Sequence, residues 1–173
     1  MVNIETKILD ILVHNVVAKL EVLGAKKVFD AVRVITYFKR DDEVDEPFLK
    51  LTEEGDKLKL SAQRHKTHEE IKLFVSRKEE CLQLLAVLGY LAVAEVKARR
   101  ISYELGTTDF DIDEFPGVSA FLEVDLGDHP SLSFDEIVKR LGVSHHTMGQ
   151  MSTPDIVRFY GKDYFALYAI SKT

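Results

Sequence analysis

Residues 112–125 read IDEFPGVSAFLEVD, and their second half alternates between apolar and polar side chains. In AFLEVDL (120–126) the apolar set predicts one buried strand face, while Glu123 and Asp125 share the other. Two carboxylates separated by one residue stand roughly 6.5–7 Å apart on that face. The simplest interpretation is a solvated sheet face. The alternative is a metal site, which would need further acids and cations from neighbouring strands.

Length, composition and charge restrict the class of protein. The chain has 173 residues, of which 46% are hydrophobic and 30% charged, as expected for a single domain spanning residues 1–173. A net charge of −6 argues against general affinity for nucleic acid. The longest apolar run, LLAVLGYLAVA (84–94), is too short to cross a bilayer, and the N-terminus lacks a signal-peptide pattern. We therefore expect a cytoplasmic protein without a membrane partner, in which Cys81 is a small core residue.

Several further stretches have the alternation of strands. They are VNIETKI (2–8), FLKLT (48–52), KLKLSAQ (57–63), EEIKLFV (69–75) and EVKARRIS (95–102). Their second faces mix acids with lysine and arginine. An antiparallel sheet with one wet face would explain this pattern, and so would a closed barrel with a polar interior. The alternation alone does not decide between these two architectures.

The order of the strands and motifs resembles that of the CYTH family, the triphosphate tunnel metalloenzymes. This family includes class IV adenylyl cyclases, thiamine triphosphatases and tripolyphosphatases. The most specific motifs are KxR, here Lys97-Ala98-Arg99, and the lDxxxGxxxFxExE pattern, here residues 112–125 ending in Glu123 and Asp125. The resemblance covers residues 2–126 and is looser beyond them.

The resemblance implies an α+β fold, a closed antiparallel eight-stranded β-barrel with helices packed outside, and a triphosphate bound in its interior. It also implies Mg²⁺ or Mn²⁺ as cofactor, with Glu5, Glu123 and Asp125 at the metal. The cations that it assigns to the substrate are Lys7, Lys50, Lys72, Lys97 and Arg99. Asn3, Glu70 and Asp113 are expected to line the same tunnel.

Four positions depart from the family pattern. Asn3 replaces the first glutamate of ExExK, and Thr52 replaces the second cation of LRLR. Gln63 stands where a lysine is expected, and His68 stands where RxExE begins. These changes remove one acid and two or three cations, which weakens the expected metal and phosphate sites.

Three functions fit these residues. The first is a metal-dependent enzyme acting on a nucleotide, thiamine or inorganic triphosphate, either as a cyclase or as a hydrolase. The second is a protein of the same fold that binds phosphorylated ligands without turnover. The third is a module that binds a protein partner, since a fold does not fix a function. A triphosphate is the expected small-molecule partner, and the chain is expected to be a monomer or a homodimer.

The AFLEVDL stretch also predicts an effect on stability. Glu123 and Asp125 should repel each other if both face a partly dry interior. On this basis Glu123→Gln should leave the stability of the ligand-free protein unchanged or raise it.

Overall fold

The computed structural model describes residues 5–40, 48–63, 70–143, 147–148 and 151–170. The side chains of Glu5, Phe48, Gln63, Thr147 and Met148 are outside this description. Asn3 and His68 also lie outside the described residues.

Nine strands and five helices are found in these ranges. The strands are β1 (Glu5–Ile8), β2 (Lys26–Lys39), β3 (Phe48–Glu54), β4 (Lys57–Gln63), β5 (Glu70–Val75), β6 (Leu91–Leu105), β7 (Thr108–Glu114), β8 (Phe121–Asp125) and β9 (Thr147–Met148). The helices are α1 (Val13–Val22), α2 (Lys78–Val87), α3 (Phe134–Leu141), α4 (Thr153–Phe159) and α5 (Tyr164–Leu167).

The strands pair in the order β5-β4-β3-β2-β6-β7-β8-β1-β9. The ladders within β5-β4-β3-β2 and within β6-β7-β8-β1-β9 are antiparallel. The α+β class, an antiparallel sheet with helices, is therefore confirmed. The order starts at β5 and ends at β9, and the described residues show no ladder that joins these two strands. Closure into an eight-stranded barrel is thus not confirmed.

The chain divides into two compact units. Unit 1 consists of residues 1–31 and 99–156, and unit 2 consists of residues 32–98 and 157–173. Strands β2 and β6 supply residues to both units. Organisation as one domain stays a prediction.

The core of unit 1 lies between helices α1 and α3 and one face of β6, β7, β8 and β1. Ile101, Phe110, Leu122 and Val124 come from alternate positions of three strands and are each at most 3% exposed. Burying this row of side chains removes apolar surface from water and fixes the register, because a shift by one residue would turn the row to the opposite face.

Helix α3 is capped at both ends, and a residue of α1 contributes to the C-terminal cap. Ser133 and Glu136 form a reciprocal capping box at its start. Gly142 follows its last turn in the left-handed conformation, with φ 55°. The Lys19 ammonium of α1 donates to the Leu141 carbonyl over 2.6 Å, and a Cβ at Gly142 would lie 2.6 Å from that nitrogen. The backbone conformation therefore favours glycine here, and a larger residue would also displace the flexible end of Lys19.

The core of unit 2 packs α2 against β2, β3 and β4. Phe38, Leu51, Cys81 and Leu85 are buried together, which confirms the core position expected for Cys81. The opposite sheet face carries Tyr37, and α5 packs on it through Tyr164, whose ring centroid lies 5.1 Å away. Burial raises the pKa of Tyr37 to about 12, so its phenol remains neutral.

None of the described helices has the length and apolar character needed to cross a membrane.

Candidate functional site

The register of unit 1 brings charged residues together on the face of the sheet opposite α1 and α3. Lys7 faces Glu123 across β1 and β8, and Glu123 faces Asp111 across β8 and β7. Arg100 faces Asp113 across β6 and β7. These five residues, Lys7, Arg100, Asp111, Asp113 and Glu123, are called the carboxylate cluster below.

Arg100 holds the carboxylate cluster together. Its Nε donates to Asp113 Oδ1 over 2.8 Å, and one terminal nitrogen donates to Glu123 Oε2 over 2.8 Å. It also pairs with Asp111 and with the second oxygen of Asp113. Lys7 Nζ lies 2.9 Å from Glu123 Oε1. Both oxygens of Glu123 therefore contact a cation.

The cluster lies largely away from water. The side chains of Lys7 and Asp113 are 5% and 1% exposed, and that of Arg100 is 16% exposed. Burial acts against the charged form of Arg100, but the charges of Asp113 and Glu123 outweigh it and raise its pKa well above the ordinary value. For Asp111 burial is the stronger influence, and it raises the pKa even though Arg100 acts in the opposite direction.

A second row of acids crosses the same strands next to the cluster. Asp109 faces Asp125 across β7 and β8, and it faces Glu104 across β6 and β7. The backbone of Glu5 pairs with Asp125, so the predicted metal ligands Glu5 and Asp125 are neighbours in register. Partial burial, followed by the charges of Glu104 and Asp125, raises the pKa of Asp109. This row has the negative potential that attracts a divalent cation, although the described side chains do not form a group of three metal-binding residues.

Unit 2 has a different set of charges on its sheet face opposite α2. Lys50, Ser61 and Lys72 face one another in one row across β3, β4 and β5. Glu70 joins the two lysines, with Oε1 3.2 Å from Lys50 Nζ and Oε2 3.0 Å from Lys72 Nζ. Lys59 lies on the same face of β4 as Ser61. These five residues, Lys50, Lys59, Ser61, Glu70 and Lys72, are called the lysine cluster.

The lysines affect one another and the glutamate. Burial lowers the pKa of Lys59, and the nearby positive charges of Lys72 and Lys50 lower it further. Burial acts to raise the pKa of Glu70, but the charges of Lys50 and Lys72 outweigh it, so the pKa is lowered. The cluster has more cations than acids and is suited to an anion.

Two of the predicted substrate cations are not part of either cluster. Lys97 is exposed between the buried residues Val96 and Ala98, and so it lies on the other face of β6. Arg99 pairs with Asp30 over 2.9 Å and with Glu114 over 3.2 Å, and its side chain is 46% exposed. The sheet face predicted for Arg99 is occupied by Arg100 instead.

The remaining predicted residues have mixed outcomes. Lys7, Glu123 and Asp113 belong to the carboxylate cluster, while Lys50, Glu70 and Lys72 belong to the lysine cluster. Asp125 lies in the acidic row, and Thr52 is buried in β3. Asn3, His68 and the side chains of Glu5 and Gln63 are outside the described residues, so the predictions for them stay predictions.

Sequence reasoning missed Arg100, Asp111, Lys59 and Ser61. A signal for Asp111 was present, because TDFDIDE (108–114) alternates strictly and places Asp109, Asp111 and Asp113 on one face. A signal for Arg100 was also present, since the apolar residues Ile101 and Tyr103 place it on the polar face. Ser61 had no such signal, because a serine in a polar strand face is ordinary.

Several solved structures share the arrangement of strands and helices found in this protein. It is similar to a candidate adenylate cyclase from Vibrio parahaemolyticus, with a TM-score of 0.75 and 12% identity over 89% of this chain and 96% of that one. It is also similar to the PH1012 protein from Pyrococcus horikoshii OT3, with a TM-score of 0.66 and 22% identity over 83% and 92% of the two chains. A third similar structure is HpAC1 from Hippeastrum, a candidate adenylyl cyclase with a dominant triphosphatase activity, at a TM-score of 0.64 and 12% identity over 93% and 97%.

The chain shares its fold with these three solved structures. No protein-family model matches the sequence, and no curated protein does so either. At these identities the similarity concerns the fold, so the predicted resemblance to CYTH proteins is confirmed at that level.

Proposed function

We propose that this CYTH-fold protein is a divalent-metal-dependent enzyme acting on a triphosphate, by hydrolysis or by cyclisation of a nucleotide. The observation that carries the proposal is the lysine cluster, where Lys50, Lys59 and Lys72 lie on one sheet face. Glu70 pairs with Lys50 and Lys72, and the charges of Glu70 and Glu54 both act on Lys59. Like charges held together are unfavourable, and a bound polyanion would relieve this repulsion. Lysine ammonium groups are established phosphate ligands.

The acids of unit 1 supply the second part of the proposal. Magnesium takes one or two carboxylates together with phosphate oxygens and water. Asp125, with Glu5 beside it in register, is the expected holder of Mg²⁺ or Mn²⁺. Burial and then the charges of Glu104 and Asp125 raise the pKa of Asp109 in the same row. A metal bound there would polarise a phosphoryl oxygen and lower the pKa of its water. A closed barrel around the triphosphate is part of this proposal.

The second candidate is a protein that binds phosphorylated ligands without turnover. The observation in its favour is the pairing of Glu123 with both Lys7 and Arg100. A metal at Glu123 would have to compete with two cations that already contact its oxygens, and this competition lowers metal affinity. A monomeric or homodimeric state and a cytoplasmic location stay predictions.

The test is a product panel. Phosphate release and cyclic nucleotide formation are measured with ATP, thiamine triphosphate and tripolyphosphate, each with Mg²⁺, Mn²⁺ or EDTA. We expect metal-dependent product from at least one substrate and its loss in Asp125→Asn. Lys97→Met is the matched control, because Lys97 lies outside both clusters. Absence of product under all conditions, with tripolyphosphate binding retained in calorimetry, would favour the second candidate.

A further inference from the structure

The hydroxyl of Ser61 is a buried polar group with an unmet hydrogen-bonding need. Ser61 is 1% exposed in the middle of β4, and its Oγ has no hydrogen-bond partner among the described residues. A buried hydroxyl without a partner is costly, so such a group calls for an explanation by a water, an ion or a ligand.

The neighbours of Ser61 indicate what that ligand is. Lys50 and Lys72 face it from the two adjacent strands, and Lys59 lies two residues away on its own strand face. An ammonium group has only donors to offer a ligand, whereas a hydroxyl can donate as well. One hydroxyl donor among three ammonium groups matches a ligand that accepts several hydrogen bonds and carries negative charge. A phosphoryl group, with three acceptor oxygens and a charge near −2, has this chemistry.

Glu70 already occupies part of this environment. Its two oxygens each contact one lysine, at 3.2 Å from Lys50 Nζ and 3.0 Å from Lys72 Nζ. A carboxylate presents two oxygens to the same pair of ammonium groups, as two oxygens of a phosphoryl group would. The carboxylate does not satisfy Ser61, whose Oγ makes no hydrogen bond to it. A larger anion with a third oxygen could satisfy both.

We propose that Ser61, Lys50, Lys59 and Lys72 form a metal-independent subsite for a single phosphoryl group, and that Glu70 is an internal anion which this group displaces. The subsite rests on the proposed function in that its ligand is one phosphoryl group of the triphosphate. Glu70 holds the lysines together in the ligand-free protein and competes with the ligand for them. It therefore lowers phosphate affinity.

The experiment measures tripolyphosphate and inorganic phosphate binding by titration calorimetry in EDTA. Glu70→Gln keeps the shape of the side chain and removes the competing charge, so tripolyphosphate should bind roughly tenfold more tightly. Ser61→Ala removes the hydroxyl donor, so binding should weaken by about five- to tenfold. The Tm of ligand-free Ser61→Ala should be unchanged or higher, because the variant also loses an unpaired buried group. Lys97→Met should bind as the wild type does.

The outcomes separate the subsite from the proposed enzyme. Binding in EDTA that follows this pattern, without product in the metal panel, supports the subsite and contradicts the enzyme. Product formation together with unchanged affinity in both Glu70→Gln and Ser61→Ala overturns the subsite and leaves the enzyme intact. Weaker binding in Glu70→Gln would also overturn it, because Glu70 would then assist the ligand. If Glu70→Gln does not fold, unchanged affinity in Ser61→Ala alone overturns the proposal.

Discussion

The polar sheet faces of the two units differ in the sign of their excess charge. In unit 1 the carboxylate cluster sets two cations against three acids, with Asp109 and Asp125 in the next row. In unit 2 the lysine cluster sets three lysines against Glu70. The same antiparallel strand pattern thus produces one face suited to a cation and one suited to an anion. The difference comes from side chains at alternate positions, while the backbone arrangement is shared.

The two clusters also differ in how tightly their ion pairs are built. Arg100 contacts three carboxylates and is 16% exposed, whereas Lys72 contacts Glu70 with its side chain 51% exposed. Removing one partner from a buried charge with several hydrogen bonds costs much free energy, because the remaining charge stays away from water. A half-exposed ion pair can exchange its partner for water or a ligand at a small cost in free energy. We therefore expect the carboxylate cluster to dominate stability and the lysine cluster to dominate ligand binding.

The largest expected effect is that of removing Arg100. Arg100→Met leaves Asp113 buried without its main cation, along with Asp111 and Glu123, and should lower the free energy of unfolding by about 3–5 kcal/mol. Urea denaturation followed by circular dichroism measures this change. Arg99→Met is the matched control, since Arg99 is exposed and should cost about 0.2–1 kcal/mol. A larger loss for Arg99 than for Arg100 would contradict the placement of the two residues.

Arg99 and Arg100 show which part of the site could not be predicted from the sequence. The strands were predictable, because alternation in VNIETKI, TDFDIDE and AFLEVDL reports directly which residues meet the core. In β6, however, the buried residues change parity, from Ala94, Val96 and Ala98 to Ile101 and Tyr103. Ile101 and Tyr103 pack in the core of unit 1, whereas Ala94 lies opposite Ala169, so the two halves of β6 are buried by different parts of the chain. Continuing the alternation of residues 94–98 predicts that Arg99, and not Arg100, lies on the polar face.

The individual ion pairs could not be predicted from the sequence either. Glu123 and Asp125 look equivalent in AFLEVDL, and each faces an aspartate of β7, yet only Glu123 has Lys7 opposite it on β1 and Arg100 at its second oxygen. Their difference depends on which residue of β1 lies opposite and on the position of Arg100 in β6, and both follow from the register of the sheet. At Glu123 the contacts with Lys7 and Arg100 offset the predicted repulsion, whereas Asp125 faces Asp109.

The second prediction compares these two acids. Glu123→Gln loses its charge pairing with Lys7 and Arg100 and should lower the free energy of unfolding by about 1–3 kcal/mol. Asp125→Asn removes an acid that faces Asp109 and should shift it by no more than about 0.5 kcal/mol in either direction. Denaturant unfolding of both variants without metal measures the contrast. Equal losses would mean that the register does not distinguish the two residues.

The third prediction concerns ligand binding by unit 2. Lys50→Met removes one ammonium group from the lysine cluster and should weaken tripolyphosphate binding by roughly tenfold or more. Titration calorimetry in EDTA measures this change. Lys97→Met serves as the comparison, because it removes the same charge from the exposed face of β6 and should alter affinity by less than about twofold. Similar losses in both variants would show that binding depends on overall charge and not on the cluster.

The smallest expected effect is on the pH dependence of stability, where Glu70 and Asp109 should contribute with opposite signs. The pKa of Glu70 lies below its ordinary value of 4.5, so its ionised form stabilises the native state above that pH, and this contribution is lost as pH falls through the lowered pKa. The pKa of Asp109 lies above its ordinary value of 3.8, so stability falls as pH rises through the raised pKa. Both effects should stay within about 1 kcal/mol, because solvent screens these partly exposed groups.

Replacing each carboxyl group by an amide should change the free energy of unfolding in opposite directions. At neutral pH, Glu70→Gln should be less stable than the wild type, because it lacks a carboxylate that pairs with two lysines. Asp109→Asn should be more stable, because it lacks a carboxylate whose charged form is disfavoured by burial and by the charges of Glu104 and Asp125. Both differences should shrink at low pH, as the wild-type carboxyl groups take up protons and become neutral as well. Urea unfolding of the three proteins between pH 7 and about pH 3, where carboxyl groups titrate, measures the two curves. Two differences of the same sign at neutral pH would show that the faces of the two units do not differ in their excess charge.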